Sequence, residues 1–265
     1  MIVLLDVGNS RIKLGWKHPS LGREPTVHAI ALRPLEALPE LLRKWLNALP
    51  IPATAACGVN VAGSVVGQRI EEVLKEYEAP IQWLLPSAKK FEVHNAYDNP
   101  EQLGADRWSA LLGLAAHLKD SARTQAATSP VSASVLATFG TATTIDTLSP
   151  DLVFEGGLIL PGPALMRQSL AQGTANLPLA SGGGNNFPKN TLQAISTGVV
   201  AAQAGAVWRQ CLIAEQHFAT APALFVSGGG WPEVEAEVRT RLAHLRITFI
   251  ANPVLDGLAR MAAQL

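Results

Sequence analysis

The sequence predicts an α/β protein composed of two domains of similar size. Three observations support this fold class. Apolar strand segments alternate with segments of helical periodicity along most of the chain. A strand, glycine turn and second strand occur twice, at Gly8 and at Gly140, 132 residues apart. The length of 265 residues suits one large domain or two smaller ones, and the repeat, although it has few identities, favours two.

The first half of the chain begins with a predicted β-hairpin. Residues 2–5 form an apolar run, and residues 11–16 alternate apolar and polar side chains as a partner strand would. Residues 86–102 are polar and rich in Pro and Asn, which predicts loops. The other predicted elements are helices over 35–46, 68–77 and 107–118, and strands over 53–59 and 81–85.

The second half begins after residues 119–134, which are mostly small or polar and are interpreted as either a linker or a mobile surface loop. Residues 135–137 and 223–226 are predicted strands, and residues 163–171 and 198–211 are candidate helices. The second strand leads into Ser-Gly-Gly-Gly at residues 227–230. This segment suits close approach of a ligand such as adenosine, or is simply a glycine-rich connection from strand to helix. We therefore expect domains at residues 1–122 and 123–265.

The turns at Gly8 and Gly140 both carry small polar residues that suit phosphate binding. Glycine lets the backbone approach a ligand closely, and exposed N–H groups and short hydroxyls bind phosphate oxygens. An ordinary tight turn uses the same residues, so each turn alone leaves both interpretations open. A facing pair of such turns could hold a triphosphate between them. The chain has neither a GxxxxGK[ST] nor a GxGxxG motif.

Charge and composition argue against several classes of protein. Lys plus Arg and Asp plus Glu both total 21, and this neutral balance argues against a nucleic-acid partner. No apolar stretch approaches the roughly 18 residues of a membrane span, so we expect no membrane partner. Cys57 and Cys211 form no disulfide pattern and are expected to be buried thiols, which favours a cytoplasmic location.

Four motifs, taken together, resemble one known family. Residues 6–10, Asp-Val-Gly-Asn-Ser, resemble the first phosphate motif of the actin-like, sugar-kinase-like ATPase fold. The others are residues 103–107 (LGADR), 140–146 (GTATTID) and 156–162 (GGLILPG). In this order and spacing they resemble type III pantothenate kinase, also called the Bvg accessory factor-like family, from residue 2 to about residue 230. Residues 174–178 and 190–191 add to the match.

The resemblance implies a fold, a reaction and a partner. The fold would be two ribonuclease H-like domains of the actin-like ATPase superfamily, with ATP in the cleft between them. The reaction would be transfer of the γ-phosphoryl group of ATP to pantothenate, giving 4′-phosphopantothenate, the first step toward coenzyme A. ATP with Mg²⁺ would be the cofactor. A homodimer would place the substrate sites near the subunit interface.

The resemblance also implies roles for individual positions. Asp106 matches the general base, and a carboxylate within reach of a hydroxyl can accept its proton. Asp6 would be positioned for Mg²⁺, directly or through water. The positions that match the ATP segment are Asp6, Val7, Gly8, Asn9, Ser10, Arg11, Ile12, Lys13 and Thr141. Those that match the pantothenate-binding positions are Tyr97, Gly104, Ala105, Asp106, Arg107 and Thr191.

Purely structural interpretations of these residues stay open. Asp106 precedes the predicted helix 107–118, where Asp is a favoured N-cap. Arg107 would bind the pantothenate carboxylate or phosphate oxygens, or else be a solvated helix charge. Asp6 would ligate Mg²⁺ or form an Asx turn. Tyr97 would contact substrate or pack on the surface of a loop.

One position departs from the family pattern. Members often carry Asp at a monovalent-cation site three residues before the Thr of the Gly-Thr motif, and here that position is Thr138. A neutral hydroxyl is a poorer K⁺ or NH₄⁺ ligand than a carboxylate. Dependence on a monovalent cation is therefore in doubt, or the ion is held mainly by carbonyls. Charged residues make up only 16% of the chain, which suits surface hidden in a dimer and equally an Ala-rich monomer.

Two other functions remain possible on the same fold. One is a kinase or phosphatase acting on another small molecule, because only Tyr97 and residues 103–107 argue for pantothenate. The other is a non-catalytic nucleotide-binding accessory or regulatory protein. The presence of both Asp6 and Asp106 argues against an inactive kinase.

Overall fold

The computed structural model describes residues 1–124 and 132–265. Within them, the chain forms two compact units. The first unit contains residues 1–124 together with Asn252–Leu265, and the second contains residues 132–251. No helix in these described residues is long and apolar enough to cross a membrane.

Both units contain strands and helices. The strands are β1 (Ile2–Val7), β2 (Arg11–His18), β3 (Gly22–Arg23), β4 (His28–Ala31), β5 (Ala55–Asn60), β6 (Ile81–Trp83), β7 (Lys89–Lys90), β8 (Val93–Asn95), β9 (Ser134–Phe139), β10 (Ala142–Leu148), β11 (Val153–Pro161), β12 (Ala223–Ser227) and β13 (Ile247–Phe249). The helices are α1 (Leu38–Asn47), α2 (Ser64–Glu76), α3 (Ala105–Thr124), α4 (Pro163–Gly173), α5 (Thr191–Phe218), α6 (Trp231–Arg241) and α7 (Pro253–Ala262). Short 3₁₀ turns occupy Leu35–Ala37 and Pro100–Gln102.

The sheet of the first unit is built around β1. Its strand order is β3-β2-β1-β5-β6, and β4 also pairs with β2. β1 is antiparallel to β2 and parallel to β5, so Leu4 lies between Gly15 and Cys57. Five of the six residues of β1 are buried, which explains its nearly continuous apolar sequence. Helices α1 and α2 pack their apolar residues against the same core.

The second unit repeats this arrangement of strands. β9 is central, antiparallel to β10 and parallel to β12, in the order β11-β10-β9-β12-β13. The turn at Gly8 joins β1 to β2, and the turn at Gly140 joins β9 to β10, so the repeat noticed in the sequence joins equivalent strands. Phe139 and Trp231 pack with α5 and α6 side chains in this unit's core.

Most predicted elements are present, with altered ends. Helix α2 begins at Ser64, before the predicted start at residue 68, and the segment 86–102 includes the short strands β7 and β8. The helix predicted over 107–118 extends to Ala105–Thr124, because no Gly or Pro interrupts residues 119–124. These six residues are therefore helical rather than linker or loop. Residues 125–131 of the predicted linker lie outside the described residues.

The C-terminal helix α7 belongs to the first unit. The sequence instead predicts it in the second domain, at residues 123–265. The backbones of α3 and α7 approach so closely that a Cβ at Gly113 would collide with the Pro253 carbonyl, and one at Gly257 with the Ser109 carbonyl. The Ser109 hydroxyl also donates to the Val254 carbonyl, at 2.8 Å. Sequence periodicity could not assign α7 to a partner this distant in the chain.

Both cysteines are buried free thiols, as expected from the sequence. Burial raises the pKa of Cys57 to about 11 and that of Cys211 to about 12. Both side chains are therefore neutral core residues at neutral pH.

The close contact between α3 and α7 predicts that one added methyl group at position 257 destabilises the protein. We expect Gly257→Ala to lower the free energy of unfolding by about 2 kcal/mol or more, because the backbone carbonyl of Ser109 blocks the new Cβ. Denaturant unfolding measures this change. The control is Gly205→Ala in α5, where a Cβ meets no atom within 4 Å and stability should not fall. Equal stability of the two variants would contradict the interpretation.

Candidate functional site

The end of β1 and the start of β2 place Asp6 beside Lys13. These residues are register partners in the hairpin, and Lys13 Nζ lies 3.1 Å from Asp6 Oδ2. Asp6 is only 7% exposed, whereas Asn9, Ser10 and Arg11 are exposed in the turn. The predicted phosphate segment therefore combines a buried carboxylate, a lysine ammonium and an accessible turn.

The backbone of this turn is tied to its neighbours. The Gly8 amide donates to the Arg11 carbonyl at 3.1 Å, and the Leu32 amide donates to the Ser10 carbonyl at 3.1 Å. On the other side, the Val61 amide donates to the Val7 carbonyl at 3.0 Å. The conformation of the turn is thus held by backbone hydrogen bonds on both sides.

Asp106 lies in the first turn of α3. The Gly104 carbonyl accepts the first helical hydrogen bond, from the Trp108 amide at 2.9 Å, and the helix begins at Ala105. The interpretation of Asp106 as an N-cap is therefore wrong by two positions. Its Oδ1 accepts from the Arg107 amide at 2.8 Å, and a Cβ at Gly104 would lie 2.7 Å from that oxygen. Glycine at position 104 leaves room for the carboxylate.

The environment of Asp106 favours its protonated form more than water does. Burial raises the pKa of Asp106 above its usual value, and the nearby negative charge of Asp6 raises it further. The hydrogen bond from the Arg107 amide and the Arg107 charge act in the opposite direction. A carboxylate whose pKa is raised in this way is a better proton acceptor than an ordinary Asp.

Arg107 and Tyr97 form a pair beside this carboxylate. Arg107 is 6% exposed, and its Nη1 donates to the Tyr97 hydroxyl at 3.1 Å. Its guanidinium carbon lies 5.8 Å from the centre of the Tyr97 ring. Arg107 is therefore neither a solvated helix charge nor independent of Tyr97, which is half-buried and not simply packed on the surface of a loop.

Asn95 positions the loop that carries Tyr97, and the sequence predictions did not include it. The buried Asn95 side chain accepts from the Tyr97 amide at 3.1 Å and donates to the Pro100 carbonyl at 3.1 Å. The Asn-x-Tyr spacing is the available sequence signal, because Asn favours hydrogen bonding to an amide two residues later. One buried side chain thus holds both ends of the loop.

Glycines bring three segments of the second unit together. The Gly140 amide donates to the Ala142 carbonyl at 3.0 Å, and the Gly162 amide donates to the Thr141 carbonyl at 2.9 Å. The Gly230 amide donates to the Phe139 carbonyl at 3.0 Å. A Cβ at Gly162 or at Gly228 would collide with backbone atoms of residues 139–141, so only glycine permits these contacts.

The turn that contains Thr141 therefore contacts the starts of two helices. Gly162 precedes α4 and Gly230 precedes α6. Helix N-termini carry amide donors and partial positive charge, which favour anions. Thr141 is exposed at this point. The arrangement suits binding of phosphate oxygens.

Thr191 is the first residue of α5 and lines an apolar cavity of about 490 Å³ within the second unit. The Asn190 side chain caps the helix by accepting from the Gln193 amide at 2.9 Å. The cavity is lined by Pro161, Met166, Ser169, Leu170, Leu177, Thr191, Ala194, Ile195, Gly198 and Val199. The Thr191 hydroxyl is one of few polar groups in an otherwise apolar wall.

Metal binding by the protein alone has no support in the described residues, where no group of three or more His, Cys, Asp or Glu side chains could hold an ion. A single carboxylate fits a different arrangement, because Mg²⁺ is commonly held by one or two carboxylates together with nucleotide phosphates. Asp6 has the required carboxylate oxygens and lies beside the turn at Gly8 that joins β1 to β2.

Comparison with known proteins identifies the family of this chain. The family model described as type III pantothenate kinase matches residues 2–212. The type III pantothenate kinase of Bordetella petrii is 48% identical over 100% of this chain and 98% of its own. The chain belongs to the type III pantothenate kinase family. Its four motifs therefore belong to one family pattern, as the resemblance implied.

Solved structures independently support the actin-like ATPase fold of this type III pantothenate kinase family member. A protein described as a 2-dehydro-3-deoxygalactonokinase from Sinorhizobium meliloti is similar, with a TM-score of 0.56 and 16% identity, covering 100% of this chain and 99% of its own. The archaeal actin homologue Ta0583 has a TM-score of 0.50 and 11% identity, with coverage of 100% and 99%. The predicted fold class is confirmed.

The site residues expected from the type III pantothenate kinase motifs fall into three groups. Asp6, paired with Lys13, is near Asp106, and Arg107, next to Asp106 in α3, is paired with Tyr97, all within the first unit. Thr141 contacts the glycine-rich loops of the second unit, and Thr191 lines that unit's apolar cavity.

The raised pKa of Asp106 predicts how Asp106→Asn changes stability. Because the pKa is higher in the folded than in the unfolded chain, ionisation costs folding free energy at pH values above the folded pKa. We expect Asp106→Asn to be at least as stable as wild type at pH 7. The difference should disappear as the pH falls below the unfolded pKa of about 4. Denaturant unfolding at a series of pH values measures it, and a destabilised variant at pH 7 would contradict it.

Proposed function

We propose that this chain transfers the γ-phosphoryl group of ATP to the primary hydroxyl of pantothenate, giving 4′-phosphopantothenate and ADP as the first step toward coenzyme A. One bond forms between the hydroxyl oxygen and phosphorus, and the bond from the γ-phosphorus to the ADP oxygen breaks. The observation that carries the proposal is the half-buried Asp106 carboxylate of raised pKa, near Asp6, in a chain of this family.

Asp106 is the proposed general base. Its carboxylate accepts the hydroxyl proton as the bond to phosphorus forms, and its raised pKa suits that step. Arg107 and Tyr97 are proposed to bind pantothenate, with the guanidinium facing its carboxylate or the transferred phosphate oxygens. Gly104 and Ala105 would leave space beside Asp106, and Thr191 would contribute a hydroxyl from α5.

The nucleotide phosphates are proposed to contact the two glycine turns. Residues 6–13 supply the Asp6 carboxylate, turn amides and the Lys13 ammonium, and Thr141 supplies a hydroxyl in the second unit. Asp6 is the residue that would hold Mg²⁺, directly or through water, and the ion would neutralise phosphate charge. A monovalent cation would be held mainly by carbonyl oxygens, since Thr138 offers only a hydroxyl where a carboxylate is common.

We also propose that the chain acts as a homodimer in the cytoplasm, without a nucleic-acid or membrane partner. The second unit exposes large apolar side chains on α4, on α5 and on the segment between them. They include Leu165, Leu179, Phe187, Leu192, Trp208 and Ile213. Apolar exposure of this kind is expected where another protein surface packs.

Removal of the Asp106 carboxylate tests the proposed reaction. Wild-type protein should phosphorylate pantothenate with ATP and Mg²⁺ in the presence of K⁺ or NH₄⁺. Asp106→Asn should lose about 100-fold or more in kcat while nucleotide binding persists, because the base is removed and the turns are intact. A coupled assay of ADP release measures kcat, and titration with a fluorescent nucleotide measures nucleotide affinity. Wild-type turnover with retained Asp106→Asn activity would reject the base, and absence of wild-type turnover would reject the reaction.

A charge on α5 tests the proposed dimer. Leu192 is 48% exposed next to Thr191, and Leu192→Glu should convert a dimer into a species of 28.0 kDa. The physical reason is that an unpaired carboxylate is costly to bury in an interface. The control is Val65→Glu, at a 56% exposed position in the first unit, which should remain dimeric. Light scattering after gel filtration measures the mass, and a monomeric wild type would refute the proposal.

A further inference from the structure

The hairpin formed by β7 and β8 has a strained turn. Its two turn residues are Phe91 and Glu92, between Lys90 and Val93. Phe91 has a φ of 53°, in the left-handed region that a bulky aromatic residue rarely occupies. Such a conformation persists only where surrounding contacts hold it, and it is a reason to ask what the turn does.

One side chain of the C-terminal helix contacts both turn residues. Arg260, in the last turn of α7, donates from Nη1 and Nη2 to the two carboxylate oxygens of Glu92, at 2.8 and 2.6 Å. Its guanidinium carbon lies 4.2 Å from the centre of the Phe91 ring. A bidentate pair and a stacked ring together specify one geometry, which lysine could not reproduce.

Glu92 also forms an ion pair with a lysine of α3. Lys119 Nζ lies 3.1 Å from Glu92 Oε2. Although burial opposes it, hydrogen bonds from Arg260 and Lys119 lower the pKa of Glu92 to about 2. The carboxylate is therefore charged across the pH range in which the protein would function, and both helices hold the hairpin tip.

The hairpin is followed closely in the chain by Tyr97, which is proposed to bind pantothenate. β8 ends at Asn95, whose side chain binds the Tyr97 amide and the Pro100 carbonyl. The Tyr97 hydroxyl then accepts from Arg107. Arg260 and Arg107 are thus linked by a continuous series of contacts through the turn, β8, Asn95 and Tyr97.

We propose that Arg260 is a positioning residue for substrate, which holds Tyr97 in place for pantothenate through the Phe91–Glu92 turn. The inference rests on the proposed function. Asp106 is carried by α3. The Leu112 carbonyl of this helix accepts a long hydrogen bond from Arg260 Nη1, at 3.4 Å, but α3 also packs closely against α7 at Gly113 and Gly257. Loss of Arg260 should therefore loosen the Tyr97 loop and weaken pantothenate binding, with little effect on the proton-accepting group.

The test compares two bidentate Arg–Glu pairs with equal hydrogen-bond lengths. Arg260→Met removes the pair with Glu92, and Arg43→Met removes the pair between Arg43 and Glu76, whose distances are 2.8 and 2.6 Å, outside the site. Steady-state kinetics with each substrate varied should give about a fivefold or larger rise in KM for pantothenate for Arg260→Met, with kcat within about twofold. KM for ATP should be unchanged, and Arg43→Met should match wild type.

Three further variants separate positioning from stability. Glu92→Gln should raise KM for pantothenate in the same way. The double variant with Arg260→Met should be less impaired than the two single effects added together, because both substitutions remove the same Arg260–Glu92 pair. Arg260→Lys should recover only part of the affinity. Assays are run well below each variant's measured Tm.

The outcomes distinguish this inference from the proposed function. A wild-type protein that turns over pantothenate, with Arg260→Met showing wild-type KM, overturns the positioning role alone. A fall in Tm without a change in KM does the same, since it shows a structural contact only. If wild type does not phosphorylate pantothenate, the proposed function fails first, and the positioning role fails with it.

Discussion

The contact between the backbones of α3 and α7 is the constraint on which the first unit's site depends. Glycine at positions 113 and 257 permits it, because a Cβ at either would collide with a carbonyl of the other helix. Helix α3 carries Asp106 and Arg107 in its first turn, and α7 carries Arg260 in its last. A single helix pair thereby supports the proposed base and the hairpin that precedes Tyr97.

Glycine has a different use in the second unit. There it permits close approach of the β9–β10 turn to the segments preceding α4 and α6, which brings backbone amides and two helix N-termini to Thr141. In the first unit, the corresponding β1–β2 turn lies next to two acidic side chains, Asp6 and Asp106, that influence each other electrostatically. The two units share a strand order, but backbone amides and helix N-termini surround the turn of the second unit, whereas two carboxylates lie near the turn of the first.

Much of the fold could be predicted from local pattern. The buried β1 run, the alternating β2 and the glycine turns produce signals over a few residues, so β1, β2, β9 and β10 were predicted near their observed positions. The helix over 105–124 was predicted too short, because its polar last turns lack the apolar periodicity that identifies a buried face. The packing of α7 against α3 could not be predicted, because the two helices are far apart in the sequence.

The sequence by itself determined the fold class, the family pattern and the residue types that the proposed chemistry needs. Short motifs with fixed spacing indicate all three. Only the tertiary structure decided which groups share an environment. The pKa of Asp106 is raised by burial and by a charge 100 positions away in the chain, at Asp6. Asn95 and Arg260 acquire their positions from contacts across loops and between distant helices. Burial and through-space charge depend on packing, which no local pattern encodes.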